Sequence, residues 1–186
     1  MMYSWKRIVR YGLPLLTLCV MIEIFVGNIL QNNQELLLQQ LPIFLISIPV
    51  INGVGGNIGS ILGAHLASGL HIGTITSDVK DKHMHENVIS AIIIGIITYS
   101  ILAIGIYFVA TFTLITMNIS LSGFLTIFIA TGVLLICSLS FISVFTAFIS
   151  FKHGVDPDDV VAPVVTTMGD TLGIIFLFFF IGVGSL

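Results

Sequence analysis

The sequence predicts an all-α, polytopic membrane protein with five transmembrane helices, and three observations carry that prediction. First, 56% of the 186 residues are hydrophobic and only 8% are charged, with a mean hydropathy of +1.14; soluble domains are usually about a quarter charged. Second, residues 88–150 contain no Asp, Glu, Lys, Arg or His. A helix needs about 20 apolar residues to span a bilayer, so that stretch must hold two crossings. Third, the apolar runs are long and continuous, whereas barrel strands alternate in short segments separated by turns.

The first span covers 8–30, with the basic residues Lys6, Arg7 and Arg10 at or before its start. A secretory signal also opens this way, but the run is longer than a signal core and no small-x-small cleavage site follows, so it reads as a retained helix. Glu23 lies in its outer part, four residues before Gly27, where it either lines a polar cavity or reaches toward the interface.

The second span covers 41–71. It contains Pro49-Val50-Ile51-Asn52-Gly53-Val54-Gly55-Gly56-Asn57-Ile58-Gly59, a run rich enough in glycine to permit a local break in the helix. Unwound backbone of this kind frees carbonyls for an ion pathway. Gly55, Gly59, Gly63 and Ala67 recur every four residues, as do Gly56, Ser60, Ala64 and Ser68, and such stripes let a neighbouring helix approach closely. Packing alone explains the glycines but not Asn52 and Asn57 beside them, and the two amides favour a pathway role.

The third and fourth spans cover 88–117 and 121–150, with the polar residues 118–120 as their turn. Between the second and third spans, 78–86 carries mixed charges and His83 and His85. It reads as a solvated loop because it lacks a specific metal-site spacing. His65 and His71 face a vestibule or satisfy local hydrogen bonds.

The fifth span, 160–184, carries the most informative residue, Asp170, near its middle. A carboxylate at the centre of a spanning helix costs about 2.5–3.5 kcal/mol even on the lenient insertion scale, so it should face a partner, a polar cavity or an ion. Ala162, Thr166 and Asp170 are spaced i, i+4 and i+8 along one face, with Gly173 nearby. Pro163 suits a first helical turn, and Asp158 and Asp159 suit the positive end of the helix dipole, where either capping or a vestibule role accounts for them.

Charge sets the orientation. All six Lys and Arg residues fall at or before the start of the first span, between the second and third, or between the fourth and fifth. The positive-inside rule makes that side cytoplasmic, with the N-terminus inside and the C-terminus outside. Cys19 and Cys137 lie in separate spans and suggest neither a disulfide framework nor a metal motif.

The run from Gly53 to Gly59 and the segment DPDDVVAPVVTTMGD at 156–170 resemble the two signature regions of the MgtE magnesium transporters and their eukaryotic solute-carrier relatives. The DPDD start and Met168-Gly169-Asp170 are closer to the solute-carrier branch. The resemblance implies a cell-membrane homodimer, with lipid and divalent cations as its other partners and no nucleic acid, no cofactor and no enzymatic activity. Residues 1–186 would form a single transmembrane transport domain, whose pore is lined by the second and fifth helices of both copies and carries magnesium as the transported ion.

On this resemblance Asp170 is the pore aspartate that holds magnesium largely through its water shell, and Thr166 offers a backbone carbonyl one turn earlier. Gly56, Asn57, Glu23 and Asp159 complete the candidate set. Ala162 stands where bacterial members often carry a pore asparagine, which removes an amide from the coordination. The large cytoplasmic gating domains of bacterial MgtE have no counterpart in these residues, so regulation by them is not implied.

Magnesium chemistry fits these residues. The ion dehydrates reluctantly and prefers octahedral oxygen coordination, so a pathway needs few direct ligands. Two symmetry-related Asp170 side chains present about two negative charges to one divalent ion. Protons compete for the same carboxylates, so acidification is expected to weaken transport. Two other classes are set against this one. An intramembrane aspartyl protease would share Gly169-Asp170 with the end of its G-x-G-D motif, but Thr167 replaces the first glycine and no second mid-membrane aspartate completes a dyad. A non-transporting assembly subunit would use the glycine stripes only as interfaces.

Overall fold

The computed structural model describes residues 5–113 and 119–184. It is built from α1 (Trp5–Asn32), a π-helical turn (Leu36–Gln40), α2 (Pro42–Ile72), α3 (Lys82–Phe112), α4 (Leu121–Lys152) and α5 (Pro157–Gly184). All five helices are long and apolar enough to cross a membrane. At 31 residues and 1.5 Å per residue, α2 and α3 are about 46 Å long, which exceeds the roughly 30 Å hydrocarbon core and leaves room for tilt or protrusion.

The core is the three-helix group of α2, α4 and α5; α3 packs on α2 and α4, while α1 packs on α5 alone among the described residues. α1 and α3 accordingly expose large apolar side chains along their outer faces, such as Leu13, Met21 and Phe25 on α1 and Ile93, Ile97, Ile101 and Phe108 on α3. In water such faces would drive association, whereas in a bilayer they meet lipid.

Helix ends follow from their capping residues. Gly73, at φ 81°, closes α2 in the left-handed conformation that glycine adopts without strain, and its N–H bonds to the Gly69 carbonyl at 3.0 Å. Asp81 caps α3 by accepting from Met84 N–H at 3.1 Å and from the N–H and hydroxyl of Thr76, both at 2.9 Å. These bonds, led by the one from the Thr76 N–H, hold its carboxyl down at about 2. A depressed carboxyl stabilises the fold above its ordinary pKa, and that contribution is lost only as pH falls from about 4 toward 2. The cap is therefore ionised at any physiological pH.

Three expectations are corrected at these ends. The loop read over 78–86 is helical from Lys82 onward, because the Asp81 cap starts α3 six residues before the predicted span. There Glu86 lies 3.7 Å from Lys82 Nζ and 3.3 Å from His83 Nδ1. The helix also ends at Phe112, and the last predicted residues of that span, 114–117, lie outside the described residues together with Asn118 of the predicted turn. Ser120 caps α4 through Gly123 N–H at 3.2 Å. In α5 the first-turn proline is Pro157, not Pro163, and the capping side chain is Asp156, which accepts from Asp158 N–H at 3.1 Å.

The expected break in the glycine-rich run does not occur, and α2 is a continuous α-helix from Pro42 to Ile72. Neighbours occupy the space that the missing side chains leave. A Cβ at Gly59 would sit 2.5 Å from Val165 Cγ1, one at Gly63 would run into Val161 Cγ1, and one at Gly55 would lie 2.8 Å from Leu135. Two α2 carbonyls also accept a bond from another helix: Tyr99 Oη of α3 donates to Ile51 O and Ser143 Oγ of α4 donates to Gly59 O, each at 2.8 Å. These ties replace the loosening that glycine content alone suggests.

Candidate functional site

α2 and α5 cross antiparallel with their backbones close together. Gly63 meets Val161, Gly59 meets Val165, Gly56 meets Thr166 and Gly169, and Asn52 meets Gly173. α1 runs parallel to α5, held by Cys19 Sγ–H to Pro163 O at 3.8 Å and, one turn on, Thr167 Oγ1–H to Glu23 Oε1 at 3.2 Å. Parallel α1 and α5 put the start of α1 and the end of α5 at opposite ends of the bundle, as an odd number of crossings requires.

At one end of the α2–α5 crossing, His71 Nε2 lies 4.0 Å from Asp156 Oδ1 and the imidazole rests edge-on against Phe151. His71 Nδ1 is 2.8 Å from Ala67 O, which fixes the proton on Nδ1 when the ring is neutral. Asp158 and Asp159 lie exposed in the first turn of α5 at this same end. Pro163 has no N–H to offer the carbonyl four residues earlier, so the carbonyl of Asp159 is released from the α5 ladder.

Further along α5, Ala162 and Thr166 are exposed and Asp170 is half-buried. They form the single face that their spacing predicts. The Thr166 hydroxyl is turned back onto its own helix, donating to Ala162 O at 2.9 Å with Pro163 O at 3.1 Å. Beside this face α2 exposes Gly53, Asn57, Ala64 and Ser68, while Gly56 is buried beneath Thr166. The two helices thus present one open polar strip.

The α5 turn that carries Asp170 is reached from two other helices. The Asn52 amide of α2, 7% exposed, donates from Nδ2 to the Asp170 carbonyl at 3.4 Å. Glu23 of α1 accepts from the hydroxyl of Thr167, three residues before Asp170 on α5. Of the residues expected from the sequence, Asp170, Thr166, Gly56 and Glu23 therefore gather on α5 and its immediate neighbours. Asn57 lies on the open α2 strip, and Asp159 stands apart at the helix start. Among the described residues, no group of three or more His, Cys, Asp or Glu side chains is arranged to hold a metal ion.

Asn52 is less conspicuous in the sequence than in the fold, and nothing in the sequence marks Tyr99. Asn52, Gly56, Gly59 and Gly63 are spaced i, i+4, i+7 and i+11, which is one helix face. That periodicity points Asn52 at α5 and could have singled it out from Asn57.

Residues 48–180, covering α2 to α5 almost completely, match the family model for MgtE, described as a divalent cation transporter. The chain belongs to the MgtE family. No curated protein and no solved structure gives a significant match. As an MgtE protein with five apolar helices it is a multi-pass membrane protein, and its family supports divalent cation transport. The matched region contains the whole α2–α5 crossing, with both glycine-rich and acidic segments.

Proposed function

We propose that the chain transports magnesium through a pore at the axis of a homodimer, lined by α2 and α5 of both copies, and that it catalyses no covalent reaction. The observation that carries this reading is the placement of Asp170 half-buried at mid-span, on the same open strip as Thr166 and Asn57. In a lone copy that strip would face hydrocarbon, where a carboxylate is costly. A second copy related by a two-fold axis covers it with an identical strip and turns it into an enclosed polar passage.

In such a passage the hydrated cation first meets Asp158, Asp159 and the released Asp159 carbonyl at the α5 start, which we assign to the cytoplasmic side with the N-terminus. It then meets the outward face of Thr166 and the amide of Asn57, and is held at mid-membrane by two Asp170 carboxylates through bridging waters. Gly56 lies against the Thr166 turn, where even an added Cβ would meet it only at ordinary contact distance. Magnesium suits the passage because it retains its waters and needs few direct ligands. Glu23 adds negative charge next to Asp170 from α1, so residues 1–186 act as one transport domain.

Uptake of magnesium, manganese, cobalt and zinc into liposomes containing only the purified chain tests this reading. Magnesium uptake well above that of protein-free vesicles is expected, falling as the pH is lowered through the carboxylate range. Repeating the assay with a sodium or a proton gradient separates a channel from a coupled exchanger. Divalent uptake no greater than in protein-free vesicles would rule the reading out.

A further inference from the structure

We infer that Asn52 is a positioning residue that sets the orientation of Asp170, an inference that rests on the transport reading above. Asn52 is 7% exposed. Its amide Nδ2–H is directed at Asp170, donating to the backbone carbonyl at 3.4 Å and tying the α5 turn that carries the carboxylate to α2. Its other end has a different character. Oδ1 is buried without a hydrogen-bond partner and fills the position where a side chain at residue 173 would begin.

This arrangement is a poor one for stability. A buried, unpartnered oxygen is destabilising, and an apolar side chain of similar size would fill the seam beside Gly173 and Leu135 without that cost. The amide is therefore retained for what its donors do. Gly173 is part of the same device, because any Cβ there would collide with Asn52 Oδ1 and push the amide off Asp170. A partner that fixes the backbone of a residue that meets a metal places its side chain and so tunes the affinity. Asn57, the other amide of α2, lies exposed on the open strip and does not share this position.

The test compares initial rates of magnesium uptake into liposomes for the full chain and its Asn52→Ala, Asn52→Leu, Gly173→Ala, Asn52→Ala/Gly173→Ala and Asp170→Asn variants, with thermal unfolding of each in detergent. Asn52→Ala is expected to raise KM for magnesium about ten-fold without lowering the unfolding temperature. Gly173→Ala should raise KM comparably, and the double variant should be no worse than Asn52→Ala, since both changes remove one interaction. A purely structural amide would show the reverse, a lower unfolding temperature with an unchanged KM, and that result would overturn the inference. Should Asn52→Ala fail to fold, Asn52→Leu and Gly173→Ala decide: wild-type KM in both overturns it. Wild-type KM at residue 52 together with abolished uptake in Asp170→Asn sinks the inference and spares the transport reading, whereas wild-type uptake by Asp170→Asn sinks both.

Discussion

Asp170→Asn is expected to reduce divalent cation flux by at least about 100-fold while leaving the bundle folded. The substitution keeps the shape of the side chain and removes its charge. A unit charge pair at 4 Å contributes about 4 kcal/mol at an effective dielectric constant of about 20. For a divalent ion facing two such carboxylates, the lost attraction exceeds two decades of affinity even after generous allowance for intervening water. Folding should not suffer, because a neutral amide is less costly than a carboxylate within the bilayer. Flux measured in liposomes beside unfolding in detergent separates the two effects. Wild-type flux in a well-folded variant would remove Asp170 from the pathway.

The second large effect is expected at the α2–α5 crossing. Gly63→Val should lower the yield of folded protein severely and destabilise what remains by at least about 1–3 kcal/mol, the usual cost of forcing extra atoms into a close-packed seam. A Cβ at Gly63 already runs into Val161 Cγ1, and the next turn is equally tight, since a Cβ at Gly59 would lie 2.5 Å from Val165 Cγ1. Separating the helices there would also strain the bond from Ser143 Oγ to Gly59 O and move Asn52 away from Asp170. Trimming the opposing side chain should reverse much of the damage, so the gentler Gly63→Ala is expected to be rescued by Val161→Ala. Thermal unfolding of the single and double variants measures this, and Gly63→Val as stable as wild type would show that the two helices do not meet at this point.

Much of this architecture is legible in the sequence because the bilayer restricts the choices. Five apolar runs, the charge-free stretch 88–150 and the i, i+4, i+8 spacing of Ala162, Thr166 and Asp170 leave little besides a helical bundle with a polar strip on its fifth helix. The helix starts were less legible. A run of charged residues before an apolar segment looks like loop when only hydropathy is weighed, yet Asp81 and Asp156 are caps and draw Lys82 and Pro157 into their helices.

The glycine-rich run misled for a different reason. Glycine content reports that a helix can break, but whether it does depends on what fills the vacated space, here Val161, Val165, Leu135 and the hydroxyl of Tyr99. None of those neighbours is near in sequence. The pairing of Asn52 with Gly173 across 121 positions is equally invisible without the fold, although the phase of Asn52 with Gly56, Gly59 and Gly63 indicates the face on which its partner would lie.

The central claim is that a hydrated divalent cation rests between symmetry-related Asp170 side chains. It is tested most directly by locating manganese in crystals of the full chain through its anomalous scattering. A peak on a two-fold axis between α2 and α5 is expected, about 4–5 Å from the Asp170 carboxylate oxygens, the separation that one bridging water gives. Manganese bound elsewhere, with Asp170 turned toward lipid or sealed within a single copy, would contradict it.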